Sequence, residues 1–376
     1  MELTQMVSRR HFLTATTAAG TAFAVLPRLV WAAEDKTAEQ LVTKAIAFLT
    51  TKGQAADGSY TAANGPGITG LVVASILKNG RSPDDPAVVK SLKYLEAFVQ
   101  PDGGIYGKES FHKNYETCIC ILAFTEANKD GRYAKTLKAA DAYIKGIQWD
   151  ESEGKAKDDV FYGGAGYGKS ARPDLSNTAF LLDALKATGN DENSEAIKRA
   201  LGFVSRCQNL ETEHNTTPFA AKNPDGGFYY TPAGTSGNSQ AGVDEKTGGL
   251  RSYASMTYAG LKSMIYAGVK PSDPRVKAAV TWLQKHYDLK ENPGMGQSGL
   301  FYYYNTFAKA LAASGMDEFV DDKGVKHDWR KELIAELASR QREDGAWVNG
   351  EKRWMEGDAN IVTAYALLAL SYCKKK

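Results

Sequence analysis

Six times along the chain an amphipathic, helix-like stretch runs into a glutamine and then a loop, which in most copies carries glycine and an aromatic. A second, more apolar segment follows. The clearest copies read Gln100-Pro101-Asp102-Gly103-Gly104-Ile105-Tyr106 and Gln341-Arg342-Glu343-Asp344-Gly345-Ala346-Trp347. Less regular copies start at Gln54 (with Gly58 and Tyr60), Gln148 (Gly163 and Tyr167), Gln208 (Gly226 and Phe228) and Gln284 (Gly299 and Phe301). A recurrence every roughly 45 to 75 residues means one array of like units, because such a unit cannot bury its apolar side alone and must stack on its neighbours.

The two segments of a unit differ in polarity. In the first segment of the second unit, Val88, Leu92, Leu95 and Val99 follow helical spacing while Lys90, Lys93 and Glu96 take the other face. Asp85-Pro86 and Asp273-Pro274 place an acid at the N-cap and proline at the first helical position of two such helices. The second segments, at 70–77, 118–124, 178–185, 256–266, 301–311 and 361–370, are apolar on nearly every face, as helices buried all round must be. Several end at a glycine suited to a left-handed cap: Gly80, Gly189, Gly268 and Gly315. Six wet helices and six dry ones predict an all-α double barrel, an α6/α6 toroid of about twelve helices.

Loop lengths pick out a working end. The chain needs few residues to pass from a dry helix to the next wet one, as in Gly80 to Asp85, but wanders from wet to dry, most of all over 149–173 and 209–251. Long loops inside a compact fold carry function or motion. They all fall where the six dry helices begin, and helix N-termini there would favour an anionic or electron-rich ligand. This end is also rich in aromatics, from Phe161, Tyr162 and Tyr167 through Phe228, Tyr229, Tyr230 and Tyr253 to Phe301–Tyr304, Trp347 and Trp354.

The N-terminus reads Ser8-Arg9-Arg10-His11-Phe12-Leu13, then a small-residue and apolar run, then Val30-Trp31-Ala32. We expect residues 1–32 to be a twin-arginine export signal and residues 33–376 a single toroid domain, periplasmic or extracellular. Removing the signal takes away Arg9, Arg10, Arg28 and Glu2 and leaves basic and acidic side chains in equal number. No basic stripe remains for nucleic acid, and no later run is apolar for long enough to span a bilayer. Cys118, Cys120, Cys207 and Cys373 all lie in apolar, helix-like contexts and read as buried thiols. The four histidines beyond the signal (His112, His214, His286, His327) lack metal-ligand spacing, so neither metal nor cofactor is expected. Gly163-Gly164-Ala165-Gly166-Tyr167-Gly168-Lys169-Ser170 matches the P-loop pattern letter for letter. Without a preceding strand, and with Pro173 soon after, it reads as a repeat loop and not a nucleotide site.

The recurring Gln…Gly-aromatic element resembles the QW-type repeat of squalene–hopene cyclases and protein prenyltransferase β-subunits, over essentially the whole mature chain. The resemblance implies an α6/α6 toroid with a central cavity and an apolar, isoprenoid-like ligand. The cyclases of that superfamily carry Asp-x-Asp-Asp-Thr-Ala, whose middle Asp protonates the substrate. The nearest match here is Asp174-Leu175-Ser176-Asn177-Thr178-Ala179, with Ser176 at the acid position. A serine hydroxyl cannot protonate an alkene at ordinary pH. Alignment on the prenyltransferase zinc motif puts Arg251 and Tyr253 where its Asp and Cys stand, and neither supplies the expected ligand.

The remaining candidate acids are Asp174, Glu356 and Asp358, each of which also reads as a helix cap. The candidate ligand contacts are Tyr162, Tyr167, Arg251, Tyr253, Tyr303 and Trp354. Three functions fit this pattern. The first is an aromatic cavity that binds, and could transform, an isoprenoid-like or other large apolar molecule. The second is a carbohydrate-active enzyme with two facing carboxylates, Glu356 or Asp358 against Asp159 or Asp174. The third is a non-catalytic scaffold with a plugged centre.

Overall fold

The protein is described here by a computed structural model, which covers residues 26–169, 171–233 and 237–374, with side chains from residue 37 onward. The twin-arginine motif expected at Arg9 and Arg10 lies outside the described residues. The expected end of the signal at Ala32 falls inside a helix whose backbone begins at Leu26.

Twelve α-helices make up the described fold. Six are outer: α1 (Leu26–Phe48), α3 (Pro86–Glu96), α5 (Ala134–Lys145), α7 (Glu195–Arg206), α9 (Pro274–Lys285) and α11 (Trp329–Arg340). Six are inner: α2 (Gly67–Lys78), α4 (Lys113–Ala127), α6 (Leu175–Ala187), α8 (Ala254–Tyr266), α10 (Leu300–Ser314) and α12 (Ala359–Cys373). Each inner helix packs on the next, and α12 returns to α2, so the inner ring closes. A two-stranded hairpin, β1 (Phe319–Val320) and β2 (Lys326–His327), precedes α11. The outer helices bury one stripe: in α3, Val88, Leu92 and Leu95 are buried while Lys90, Lys93 and Glu96 face water. Val99 does not join that stripe, because α3 ends at Glu96 and Val99 pairs instead with Ile105 in a β-bridge. Asp85 and Asp273 cap α3 and α9 through Ala87 N–H (3.0 Å) and Arg275 N–H (2.9 Å). All four cysteines are free and buried. Among the described residues no helix is long and apolar enough to cross a membrane.

The repeated glutamine joins neighbouring units. Gln54 Nε2 donates to Ala87 O (2.7 Å) and Ser91 Oγ (2.8 Å) on α3. Gln148 Nε2 reaches Ala196 O on α7, and Gln208 Nε2 reaches Arg275 O on α9. Gln341 Nε2 reaches Leu41 O at 3.0 Å, which ties the end of the last outer helix to the first and closes the outer ring. Gln100 departs from the rule and bonds only within its own turn, to Phe98 O and Tyr106 O.

The glycine that follows must be glycine for two reasons. At Gly163 (φ 82°) and Gly345 (φ 90°) the backbone is left-handed. A Cβ there would also stand 1.9 Å from Arg199 O and 2.3 Å from Lys44 O, on the next outer helix round the ring. Two residues further on, the backbone N–H donates to a threonine hydroxyl of the unit's own inner helix. The pairs are Tyr60 to Thr69, Ile105 to Thr117, Ala165 to Thr178, Phe228 to Thr257 and Trp347 to Thr363, at 2.9 to 3.1 Å. Each of these five loops therefore clamps its inner helix to the neighbouring outer one and fixes where that inner helix begins. The sixth copy departs, with Gln284 Nε2 donating to Val320 O of β1 (2.9 Å) and Gly299 standing at the N-cap of α10.

Candidate functional site

Those clamps leave a cavity of about 620 Å³ at the N-terminal end of the inner barrel. All six inner helices line it with residues from their first two turns: Ile68, Tyr115 and Glu116, Ser176 and Phe180, Ser255 and Met256, Tyr302, Ile361 and Tyr365. The long loops complete it with Phe111, His112, Tyr167, Tyr230, Gln240, Tyr253, Trp354, Met355 and Glu356.

The inner wall is a continuous set of rings. Phe180 meets Tyr115 edge-on at 5.1 Å and lies 6.3 Å from Tyr302, while Tyr302 meets Tyr365 edge-on at 5.8 Å. The Tyr115 and Tyr365 hydroxyls lie 3.3 Å apart, and Tyr302 Oη lies 3.1 Å from Ser176 Oγ. Burial raises the Tyr115 phenol to about 12, so these rings are neutral and present their π faces to whatever enters. Deeper in the barrel, one turn beyond Phe180, Asp183 is held between Lys262 and Lys309, both at 2.5 Å. This buried ion triad joins α6, α8 and α10.

At the mouth, Trp354 (44% exposed) and Met355 take left-handed backbone angles, φ 54° and 66°, which L-residues adopt at a cost of about 1–2 kcal/mol each. Arg353 holds this turn, stacking on Trp354 at 4.2 Å and donating to Gln240 Oε1 at 2.7 Å.

The candidate acids divide by place. Asp174 is buried at the N-cap of α6, accepting from Asn177 N–H and from Asn177 Nδ2, both at 2.8 Å. Burial raises its carboxyl to about 6, but it does not line the cavity. Asp358 caps α12 through Asn360 N–H (2.8 Å) and Ile361 N–H (3.2 Å) and also accepts from Thr61 Oγ1. Glu356 does line the cavity, with Oε1 accepting from Tyr302 N–H (2.8 Å) at the start of α10 and Oε2 from Asn349 Nδ2 (2.6 Å). Burial raises its carboxyl too. Asp159 lies away from the cavity, bonded to Phe161 N–H and Lys155.

Of the expected ligand contacts, Tyr167, Tyr253 and Trp354 line the cavity, while Tyr162, Arg251 and Tyr303 do not. Tyr162 donates to Glu151 Oε1 (2.9 Å) on the outside, Arg251 is exposed, and Tyr303 turns outward to donate to Asp288 O (2.5 Å). Ser170 of the P-loop-like stretch lies outside the described residues. The rest is loop: Gly166 O accepts from Asn114 Nδ2 (2.8 Å), and no helix starts at Lys169.

Tyr302 belongs to the aromatic run expected at this end, but Tyr115, Glu116, Phe180 and Tyr365 were not singled out by sequence. The threonine clamp supplies the missing register. The residue two before each clamp threonine lines the cavity in all five clamped units: Gly67, Tyr115, Ser176, Ser255 and Ile361.

The electrostatics differ from what free helix N-termini would give. At five of the six inner helices the structure takes up such an N–H group internally, from the following loop or a cap: Asn114 N–H to Tyr167 O, Leu175 N–H to Tyr230 O, Ala254 N–H to Pro293 O, Tyr302 N–H to Glu356 and Asn360 N–H to Asp358. Among the described residues no lysine or arginine lines the cavity, whereas Glu109, Glu116 and Glu356 do. The lining is acidic and aromatic, and it does not favour an anion.

Fold and cavity together define a terpenoid cyclase-like α/α toroid. Two solved structures of the type II terpene cyclase MstE from Scytonema share this fold. One is an apo variant (TM-score 0.53, 15% identity) and the other a variant in complex with its substrate, geranylgeranyl dihydroxybenzoate (TM-score 0.52, 14% identity). Each comparison covers 90% of this chain and 97% of the other. The chain belongs to the squalene-hopene cyclase C-terminal domain family, whose family model matches residues 31–231, more than half of its length. No curated protein matches it significantly in sequence.

Proposed function

We propose that this toroid binds an isoprenoid-like or other large apolar molecule, with its chain against the rings of Tyr115, Phe180, Tyr302 and Tyr365. The observation that carries this reading is a cavity of about 620 Å³ walled by aromatic side chains from four of the six inner helices, α4, α6, α10 and α12. That volume lies within the roughly 300–1,000 Å³ of pockets that enclose molecules of drug size. A protein of the same fold binds a geranylgeranyl-bearing substrate, which supports the ligand class. The reading is of binding, without cyclisation started at the family's acid position: that position is Ser176, whose hydroxyl pairs with Tyr302. Asp174 and Asp358 are occupied as caps, which argues against a facing carboxylate pair for glycoside cleavage.

The test is titration with geranylgeraniol, followed by quenching of tryptophan fluorescence, since Trp354 stands at the mouth. We expect saturable binding that Phe180→Ala and Tyr302→Ala each weaken about tenfold, the loss of roughly 1.5 kcal/mol of aromatic contact. Absence of binding, or variants that bind like the parent, would overturn the reading. We further propose that residues 1–32 direct export and that residues 33–376 act as one domain. Replacing both Arg9 and Arg10 by lysine should then keep the precursor in the cytoplasm. Undiminished export of that variant would count against the twin-arginine route.

A further inference from the structure

Glu116 sits on the first turn of α4, 3% exposed, with its carboxyl in the cavity wall. Its Oε2 accepts from Gly107 N–H (3.0 Å) and its Oε1 from Ser110 Oγ (2.7 Å), and no lysine, arginine or histidine pairs with it. Buried carboxylates are ordinarily matched by a cation or by a full set of donors. The other buried carboxylate of the wall, Glu356, has such a set in the N-terminus of α10 and Asn349. Glu116 does not, and its unmatched side is the cavity. Tyr115, next to it in sequence, begins the aromatic wall, so carboxylate and rings form one surface.

Two cations near the mouth are committed elsewhere. Arg353 stacks on Trp354 and bonds Gln240, and Lys113 lies 4.7 Å over the Tyr106 ring. Among the described residues His112 is the one basic side chain in the lining, against three acids, Glu116, Glu356 and the exposed Glu109, and it does not pair with Glu116. An acidic recess continuous with π faces suits a protonated amine, which a carboxylate meets by charge-assisted hydrogen bonds and aromatic rings by cation–π attraction.

We infer that the ligand of this cavity is a cationic amphiphile: a long apolar chain bearing a protonated amine that hydrogen-bonds Glu116, with the chain laid along Tyr115, Phe180, Tyr302 and Tyr365. The inference rests on the apolar-cavity reading and adds the head group to it. An anionic head group, such as a diphosphate or a fatty-acid carboxylate, is disfavoured by the same charges.

Three probes of one chain length separate the two claims: dodecanol, dodecylammonium and dodecanoate, titrated below their micelle concentrations by calorimetry into the protein and its Glu116→Gln variant. Dodecylammonium should bind at least about tenfold more tightly than dodecanol, the worth of one charge-assisted hydrogen bond, and dodecanoate most weakly. In Glu116→Gln the ammonium preference should disappear while dodecanol affinity stays within about twofold, which also shows that the variant is folded. Dodecanol binding as tightly as dodecylammonium, or an ammonium preference unchanged in Glu116→Gln, would overturn the amine assignment and leave the apolar cavity standing. If none of the three binds, the cavity reading falls and the amine assignment with it.

Discussion

If the repeat loops hold the ring together by pressing a left-handed glycine onto the next outer helix, two glycines with the same backbone angle should differ in what alanine does. Gly345 (φ 90°) and Gly189 (φ 91°) form such a pair. A Cβ at Gly189 would meet nothing within 4 Å, while at Gly345 it would stand 2.3 Å from Lys44 O and 2.7 Å from Lys44 C. Both substitutions force alanine into the left-handed region, at about 1–2 kcal/mol. Only Gly345→Ala must also push its loop off α1, which we put at a further 2–3 kcal/mol or so, as for overpacking in a rigid interior. For roughly 340 described residues, an unfolding entropy of about 2.1 cal/mol/K per residue makes 1 kcal/mol worth about 1.4 °C. Gly189→Ala should therefore lower the melting temperature by about 1–3 °C and Gly345→Ala by about 4–7 °C, read by differential scanning calorimetry at one pH and scan rate. Equal losses in the two variants would refute the idea that the glycine is required by the neighbouring helix as well as by its own φ.

The clamp threonines give a second expectation. Thr257→Val keeps the shape but leaves the buried Phe228 N–H without its 3.1 Å acceptor, which should cost about 1–3 kcal/mol in denaturant unfolding, whereas a surface change such as Thr247→Val should cost under about 0.5. A third concerns pH. Burial raises the Asp174 carboxyl from 3.8 to about 6, so the native state holds that proton more tightly than the unfolded chain does. Its contribution is then fully present below about pH 4 and is lost as pH rises through 6, a change of order 3 kcal/mol. Measured as the difference in stability between the parent and Asp174→Asn from pH 4 to 7.5, the parent should lose ground steadily with rising pH. A flat difference would show that Asp174 is ionised throughout.

Much of the architecture is legible in the chain because it depends on periodicity and local chemistry. The apolar stripe of α3, the aspartate caps at Asp85 and Asp273, the all-round apolar inner helices and the Gln-Asp-Gly turns are each fixed by neighbours a few residues away. The site is legible only in part. That aromatics gather at the loop end follows from composition, but which of Phe301, Tyr302, Tyr303 and Tyr304 faces the axis depends on helical phase. Phase is set by where α10 starts, and that start is held by Glu356, some fifty residues later in the chain. The outcome is that Tyr302 enters the cavity and Tyr303 turns outward to Asp288.

The sequence by itself determined a closed ring of six helix pairs, because a repeat that leaves an apolar side bare can be satisfied only by more copies of itself. It also determined that the family's acid position is serine, since that is a matter of identity and not of place. Tertiary structure alone decided the charge of the site. Helix N-termini attract anions only while their N–H groups are free, and here the following loop or a cap takes such a group at five of the six inner helices, while Glu116 is buried without a cation beside it. Whether a buried carboxylate is neutralised depends on groups far away in the chain, and no spacing in the sequence records their distance.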